Sequence, residues 1–311
     1  HDFPQEDCVI PLGVVAENAA AGCLAVARDG WVYGVVSSPQ PGREDFATVF
    51  FRYDPSSTSI SSEYNLKRGK PEWLPSPFGA RRVPALIADK QSDLLYGLLA
   101  PGNIFFSYDP ALGKLSEFGA IGENHVSEVL CLAQGAVYGV GPDGRIFRFD
   151  TQTGRMIQRD MVLPCQKGKE FVNKANALIY DPTTNRLYGG TSPDGYLFRV
   201  ELDEERVISL GKPLDQSPIR CMALGGDGTV YGAAGEPRGG ICHLFRYLPD
   251  SGDLRDLGVP RATISKCWIA HEIDTMCTNR NGHIVMGEND RISHLFVYFP
   301  PIRRMRASRT P

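Results

Sequence analysis

The chain has 311 residues, of which 42% are hydrophobic and 22% are charged, a composition that supports a folded core and excludes disordered and collagen-like classes. Its formal net charge of -3 is too close to neutral for a protein that binds nucleic acid through many phosphates, so no nucleic-acid partner is expected. No apolar run approaches the roughly 20 residues that cross a bilayer, so we expect no membrane insertion.

The two ends of the chain lead to separate expectations, one about cellular location and one about a solvated tail. The sequence begins at His1 rather than at a methionine, which favours a processed start and a secreted or periplasmic protein, with the cytoplasm as the alternative. Residues 303–311 contain four arginines and are predicted to form a basic, solvated tail.

The eight cysteines are too few for a disulfide-dense scaffold, and none of them forms a CxxC pair. Four fall in apolar segments and are predicted to be small core residues: Cys23, Cys131, Cys221 and Cys277. The others are less regularly placed and are candidates for one disulfide: Cys8, Cys165, Cys242 and Cys267.

A short unit recurs six times along the chain. Each copy has an apolar strand ending in YG or a variant of it, then a variable loop, then an aromatic strand such as IFRFD or LFRYL. The reference glycines of the copies lie 42 to 63 residues apart and are Gly34, Gly97, Gly139, Gly189, Gly232 and Gly287. This spacing indicates one four-stranded propeller blade per copy.

Each copy divides into four strands separated by turn residues. The first is apolar (CLAVA, ALIA, LCLA, ALIY, CMAL or TMCT), the second ends in YG, the third is aromatic and the fourth resembles KLSEFG or RVISLG. The last copy lacks a clear fourth strand, and residues 7–13 (DCVIPLG) resemble one. We therefore predict an all-β fold over residues 1–311, a single propeller domain of six blades closed by the N-terminal strand, with seven blades as the alternative.

The repeated residues are those that a blade needs. The tyrosine of YG is expected to wedge between sheets, and the glycine to permit a close backbone approach or a bulge where the strand leaves the sheet. An arginine recurs between the aromatic residues of the third strand, and we interpret it as structural, through an ion pair or through packing of its aliphatic stem: Arg52, Arg148, Arg199 and Arg246.

These YG, LF and YD-P units resemble a superfamily of sugar-processing β-propellers with kelch-like blades, including secreted polysaccharide lyases such as ulvan and rhamnose-glucuronate lyases. The resemblance covers almost the whole chain. It implies a site at the centre of one face, where histidine, tyrosine and arginine act on a uronic acid. Such lyases usually have seven blades.

The fold predicts which segments share a face, because loops entering the first strand and loops joining the second to the third lie on the same side of a propeller. Irregular polar residues collect in these loops. The candidates for substrate binding are Glu123, Asn173, Asn176, Thr191 and Glu272.

β-Elimination of a uronate needs cations on the carboxylate, a base for the carbon-bound proton and an acid for the leaving oxygen. His125 and His271 are candidate bases. The candidate cations are Arg81, Arg82, Lys174 and Arg220. The alternative is that these charges pair with neighbouring carboxylates and only satisfy a wet channel.

No complete metal motif is present, and we expect no cofactor. His271, Asp274 and Asp290 are weak candidates for a divalent cation site. No P-loop, GxSxG or HExxH motif occurs.

The sequence therefore predicts a carbohydrate-active propeller, most concretely a lyase acting on uronate-containing glycans. The first alternative is a non-catalytic module that binds a sugar, another small polar ligand or a protein partner. A third hypothesis is a metal-dependent hydrolase or lactonase.

Overall fold

The computed structural model describes residues 15, 20–39, 46–60, 66–67, 69–123, 126–236, 241–264, 266–289 and 294–301. The chain forms two compact units, residues 1–121 and 122–311, and each is described by itself.

Unit 1 contains two four-stranded antiparallel sheets and a small hairpin. The first sheet is formed by β1 (Ala20–Val26), β2 (Val32–Pro39), β3 (Phe46–Tyr53) and β6 (Glu72–Leu74). The hairpin inserted before its last strand is β4 (Ser59–Ile60) with β5 (Leu66–Lys67). The second sheet is formed by β7 (Arg82–Ala88), β8 (Leu95–Ala100), β9 (Ile104–Asp109) and β10 (Lys114–Ala120).

Unit 2 contains three further four-stranded sheets, a three-stranded sheet and a hairpin. The first is β11 (Leu130–Ala133), β12 (Ala136–Val140), β13 (Arg145–Asp150) and β14 (Arg155–Val162). The second is β15 (Lys174–Asp181), β16 (Arg186–Ser192), β17 (Leu197–Glu201) and β18 (Arg206–Gly211). The third is β19 (Ile219–Leu224), β20 (Val230–Ala234), β21 (His243–Leu248) and β22 (Asp253–Gly258). The hairpin is β23 (Arg261–Ile264) with β24 (Lys266–Ile269), and the three-stranded sheet is β25 (Ile273–Thr278), β26 (Ile284–Glu288) and β27 (Leu295–Tyr298).

The six repeats of the sequence correspond to these six blade sheets, so the all-β propeller prediction is confirmed. Helical structure in the described residues is limited to short 3-10 turns at Pro55–Ser57, Pro142–Gly144 and Glu170–Val172. In the described part of the chain, no helix has the length and hydropathy of a membrane span. The predicted closing strand, residues 7–13, and the basic tail, residues 303–311, lie outside the described residues.

The reference glycine of each blade is required by a close contact with the third strand. A Cβ atom built on the glycine would lie 2.1 to 2.5 Å from the ring of the phenylalanine opposite it in five blades. The pairs are Gly34 with Phe51, Gly97 with Phe106, Gly139 with Phe147, Gly189 with Phe198 and Gly232 with Phe245. The predicted close approach is therefore confirmed, and its partner is an aromatic ring.

The tyrosine before this glycine is buried in each of the first five blades, as expected for a wedge. The residues, with exposures of 6% or less, are Tyr33, Tyr96, Tyr138, Tyr188 and Tyr231. In unit 1, Phe50 packs edge-to-face against Phe78 and Tyr108, with ring centroids 5.4 and 5.2 Å apart. Aromatic packing of this kind contributes beyond the apolar area that it buries.

The repeated arginines of the third strands form ion pairs with carboxylates of the same blade, as predicted. The N–O distances are 2.7 Å for Arg52 with Glu72, 3.0 Å for Arg148 with Asp150, 2.9 Å for Arg199 with Glu201 and 3.5 Å for Arg246 with Asp253. These arginines therefore stabilise blades, and we exclude them from the candidate site.

The cysteine predictions are confirmed only in part. Cys131 and Cys221 are buried, and burial raises the pKa of the Cys131 thiol to about 12. Cys277 is exposed on β25, so its assignment to the core was wrong. Cys165 and Cys242 are free thiols. Cys8 and the side chain of Cys267 lie outside the described residues.

The contact between the glycine and the phenylalanine ring predicts a large effect of a single methyl group. Gly189→Ala places its Cβ 2.2 Å from Phe198, a fully buried ring, and should lower the free energy of unfolding by about 1–3 kcal/mol. Gly226→Ala is the control, because nothing lies within 4 Å of its added Cβ. Urea unfolding of both variants measures the difference, and equal stabilities would contradict the packing argument.

Candidate functional site

Three consecutive blades of unit 2 carry a β-bulge near the start of their first strand. The register skips one residue between Ala175 and Ala177, between Ile219 and Cys221, and between Ile273 and Thr275. The skipped residues are Asn176, Arg220 and Asp274. A bulge leaves its extra residue outside the ladder and redirects the side chain.

All three bulge residues line one cleft of about 290 Å³. The rest of its wall consists of Glu128, Lys174 and Ala175. The cleft therefore combines two cations, two carboxylates and an amide within unit 2. We call it the bulge cleft.

One cation of the bulge cleft is neutralised by a neighbouring carboxylate. The guanidinium of Arg220 binds Asp274, with Nε donating to Oδ1 over 2.5 Å. The side chains are 14% and 31% exposed. Asn289 donates its side-chain amide to the other oxygen, Asp274 Oδ2, over 2.7 Å. This arrangement agrees with the alternative, stated from the sequence, that charges at this face pair with one another.

The other cation of the bulge cleft has no such partner. Lys174 begins β15 and is half-buried. No salt bridge joins its ammonium group to a carboxylate among the described residues, in contrast to Arg220. Lys174 is therefore the cation of this cleft that is available to an anionic ligand.

Glu128 was not among the residues predicted from the sequence, although its position in the repeat could have identified it. Leu130 pairs with the reference glycine Gly139, as Met222 pairs with Gly232. Glu128 and Arg220 each lie two residues before those partners. Aligning the copies on the reference glycine would have placed Glu128 beside the bulge residues.

Two of the predicted cations lie in unit 1. Arg81 donates to Glu117 over 2.7 Å and to the carbonyl of Phe78 over 3.1 Å. Arg82 begins β7. His125 and Asp290 lie outside the described residues, so their predicted roles stay predictions.

The remaining predicted residues of unit 2 do not line the bulge cleft. Asn173 and Thr191 are buried, with exposures of 1% and 0%, and Thr191 Oγ1 accepts the Tyr196 N–H over 2.8 Å. Glu123 is exposed and Glu272 is half-buried.

His271, a predicted base and weak metal candidate, lies at an exposed position before β25. Its backbone N–H donates to Glu288 Oε1 over 2.7 Å. Among the described residues, no three His, Cys, Asp or Glu side chains come together as metal ligands.

The loop before Lys174 is held by a buried carboxylate. Asp194 is 4% exposed and accepts the Gln166 N–H over 2.8 Å and the Lys169 ammonium over 3.1 Å. Burial acts to raise the pKa of Asp194, but these two partners outweigh it and hold the pKa below its ordinary value. The ionised side chain therefore fixes the loop that leads into β15.

Comparison with solved structures gives the fold. The extracellular domain of a protein named as a hybrid two-component system from B. thetaiotaomicron has a TM-score of 0.60 and 15% identity, over 94% of this chain and 33% of that one. Virginiamycin B lyase from Staphylococcus aureus has a TM-score of 0.52 and 13% identity, over 71% and 70%. The WD40 repeats of RRP9 have a TM-score of 0.54 and 14% identity, over 86% and 72%.

The chain is a β-propeller. At these identities the likeness concerns the fold alone, since unrelated functions share it. No protein-family model matches the sequence, and no curated protein matches it either. The kelch-like resemblance stated from the repeats thus remains an expectation, and function has to be argued from the bulge cleft.

The ion pair in the bulge cleft should contribute more to the free energy of unfolding than a solvent-exposed ion pair. Asp274→Ala leaves the guanidinium of Arg220, which is 14% exposed, without its partner and should lower the free energy of unfolding by about 1–3 kcal/mol. Asp160→Ala is the control, because its pair with Arg145 is longer, 3.4 Å, and both side chains are solvent-exposed. Equal unfolding midpoints in urea for the two variants would show that the cleft pair contributes no more stability than the exposed pair.

The lowered pKa of Asp194 predicts a pH dependence of stability. A carboxylate whose folded-state pKa is depressed stabilises the protein above its ordinary pKa, and this contribution is lost as the pH falls through the depressed value. The stability advantage of wild type over Asp194→Asn should therefore be complete above about pH 5 and shrink between about pH 5 and pH 2. Urea unfolding across that range measures it. A constant difference would contradict the assignment.

Proposed function

We propose that the bulge cleft binds an acidic carbohydrate through the carboxylate of a uronate residue. The observation that supports this most is Lys174, a half-buried cation without a salt-bridge partner among the described residues. Beside it, Arg220 is neutralised by Asp274. A partly desolvated ammonium group attracts a carboxylate more strongly than one in bulk water.

The size and lining of the cleft suit one sugar residue. Its volume of about 290 Å³ is near the lower end of small-molecule sites, which begin at roughly 300 Å³. Asn176 can both donate and accept hydrogen bonds, and the carboxylate of Glu128 can accept them. These groups match the hydroxyls of a pyranose ring. The proposal includes a secreted or periplasmic location, where polymers of this kind occur.

A second candidate function is β-elimination at the same cleft, favoured by the presence of Lys174 and Glu128 in one wall. Lys174 would neutralise the uronate carboxylate, and Glu128 would accept the proton from the adjacent carbon. The acid that must protonate the leaving oxygen is not assigned, and His125, a candidate base from the sequence, lies outside the described residues. The reaction thus requires more than the described lining supplies, and binding is the primary proposal.

Replacing the available cation tests the binding proposal. Lys174→Met keeps most of the side-chain length and removes the charge, and should weaken binding of trigalacturonate about 10-fold to 100-fold, because hydrogen bonds to charged groups contribute roughly 1.5–3 kcal/mol. Calorimetric titration measures the dissociation constant. Lys167→Met, at an exposed loop position of unit 2, is the matched control and should bind as wild type does.

The same samples separate binding from catalysis. Lyase activity would generate an unsaturated uronate, detected by its ultraviolet absorbance, and Glu128→Gln should abolish this product while retaining affinity. Affinity without product establishes a binding module. Unchanged affinity in Lys174→Met would overturn the placement of the site.

A further inference from the structure

The sixth blade departs from the repeat at one buried position. Strand pairing makes three positions equivalent: Thr191 opposite Ala175 in the fourth blade, Ala234 opposite Ile219 in the fifth, and the residue opposite Ile273 in the sixth. Thr191 and Ala234 are 0% exposed. In the sixth blade this residue is Glu288, whose side chain is 0% exposed. A carboxylate thus occupies a site that the two preceding blades fill with threonine and alanine.

Burying a carboxylate in place of an apolar side chain costs stability unless partners compensate it. Glu288 has two such partners. Its Oε1 accepts the backbone N–H of His271 over 2.7 Å, and its Oε2 lies 2.8 Å from Nδ1 of His294. Both carboxylate oxygens are therefore engaged, and one of them holds an imidazole.

This contact determines which nitrogen of His294 faces a ligand. A carboxylate only accepts hydrogen bonds, so Nδ1 carries the proton that bonds to Glu288. No hydrogen bond joins Nε2 to the residues that the structure describes. The side chain is 27% exposed. His294 is thus fixed in orientation with one ring nitrogen left over for a ligand.

An exposed aromatic ring lies beside this histidine. Trp268, on β24, is 42% exposed, and its ring centroid lies 4.7 Å from that of His294. Aromatic surfaces with a few oriented polar groups are typical of small-molecule sites. Here the surface is an indole and the oriented group is an imidazole.

We propose that Trp268, His294 and Glu288 form a second sugar subsite, in which a pyranose ring packs its apolar face on Trp268 and one hydroxyl hydrogen-bonds to His294 Nε2. Glu288 is the positioning residue of this subsite. The inference rests on the proposed binding of acidic carbohydrates and extends it from one sugar residue to an oligosaccharide.

Two consecutive residues, Glu288 and Asn289, link the subsite to the bulge cleft. Asn289, the residue after Glu288, donates to Asp274 of the cleft wall over 2.7 Å. One peptide unit and two hydrogen bonds therefore separate His294 from Asp274. A glycan of a few residues is the ligand that would contact both.

The experiment uses Trp268 as its own reporter. The chain has three tryptophans, so Trp31→Phe combined with Trp73→Phe leaves Trp268 as the only indole. Trigalacturonate should then change its fluorescence saturably. In calorimetric titrations, His294→Gln should weaken trigalacturonate about 5-fold to 10-fold, as expected for one lost hydrogen bond.

His243→Gln is the matched control for this histidine. His243 pairs with a carboxylate in the same way, Nδ1 to Asp256 Oδ2 over 2.9 Å, at the corresponding strand position of the preceding blade, and this variant should bind as wild type does. Trp268→Ala provides a second test at an exposed position, in case His294→Gln does not fold.

The outcomes distinguish this inference from the proposal on which it rests. Suppose that Lys174→Met weakens trigalacturonate binding but that His294→Gln and Trp268→Ala leave the dissociation constant within about twofold of wild type. The proposed subsite is then contradicted, and the proposed binding at the bulge cleft is retained. If wild type does not bind trigalacturonate, the uronate proposal fails. The Trp268 reporter is then titrated with neutral methyl β-glucopyranoside. A saturable change lost in His294→Gln supports the subsite by itself, and no change overturns it.

Discussion

The contact between a backbone glycine and an aromatic ring sets the geometry of each of the first five blades. Because the second strand has no side chain at this point, the phenylalanine of the third strand lies directly over its backbone. The ring covers the glycine on one face of the sheet, and the tyrosine before the glycine points to the other face, because successive residues of a strand alternate. In the fourth blade Phe198 and Tyr188 accordingly belong to different core clusters. The same contact explains why the sequence repeats where it does, since glycine is the only residue without an atom at the Cβ position.

The candidate site lies where the first strands depart from regular ladder pairing. In unit 2 the first strands of three consecutive sheets each skip one residue in register, and these residues converge on one cleft. The strands remain packed up to the bulges, as shown by the buried residues Ala175, Ile219 and Ile273, which directly precede the bulge residues. The bulges thus add polar side chains to the blade without replacing the buried residues that pack its core.

The sequence predicted the fold well because every blade repeats the same packing solution. It placed Lys174, Asn176, Arg220 and Asp274 on one face for a related reason, since loops that enter equivalent strands must lie on one side of a blade. It did not distinguish Arg220, which pairs with Asp274, from Lys174, which has no salt bridge to any residue that the structure describes, because the pairing joins residues 54 positions apart. Thr191 shows the same limit. Its loop position favoured exposure, but its hydroxyl closes the loop on itself and is buried.

The bulges also have a consequence for how such a protein can change over time. A residue that lies outside the strand ladder can be exchanged without disturbing the hydrogen bonds on either side of it. Amide, guanidinium and carboxylate groups already occupy this position in three neighbouring sheets. Ligand specificity can therefore change by substitution in one sheet at a time. Relatives with nearly identical cores can then bind different ligands.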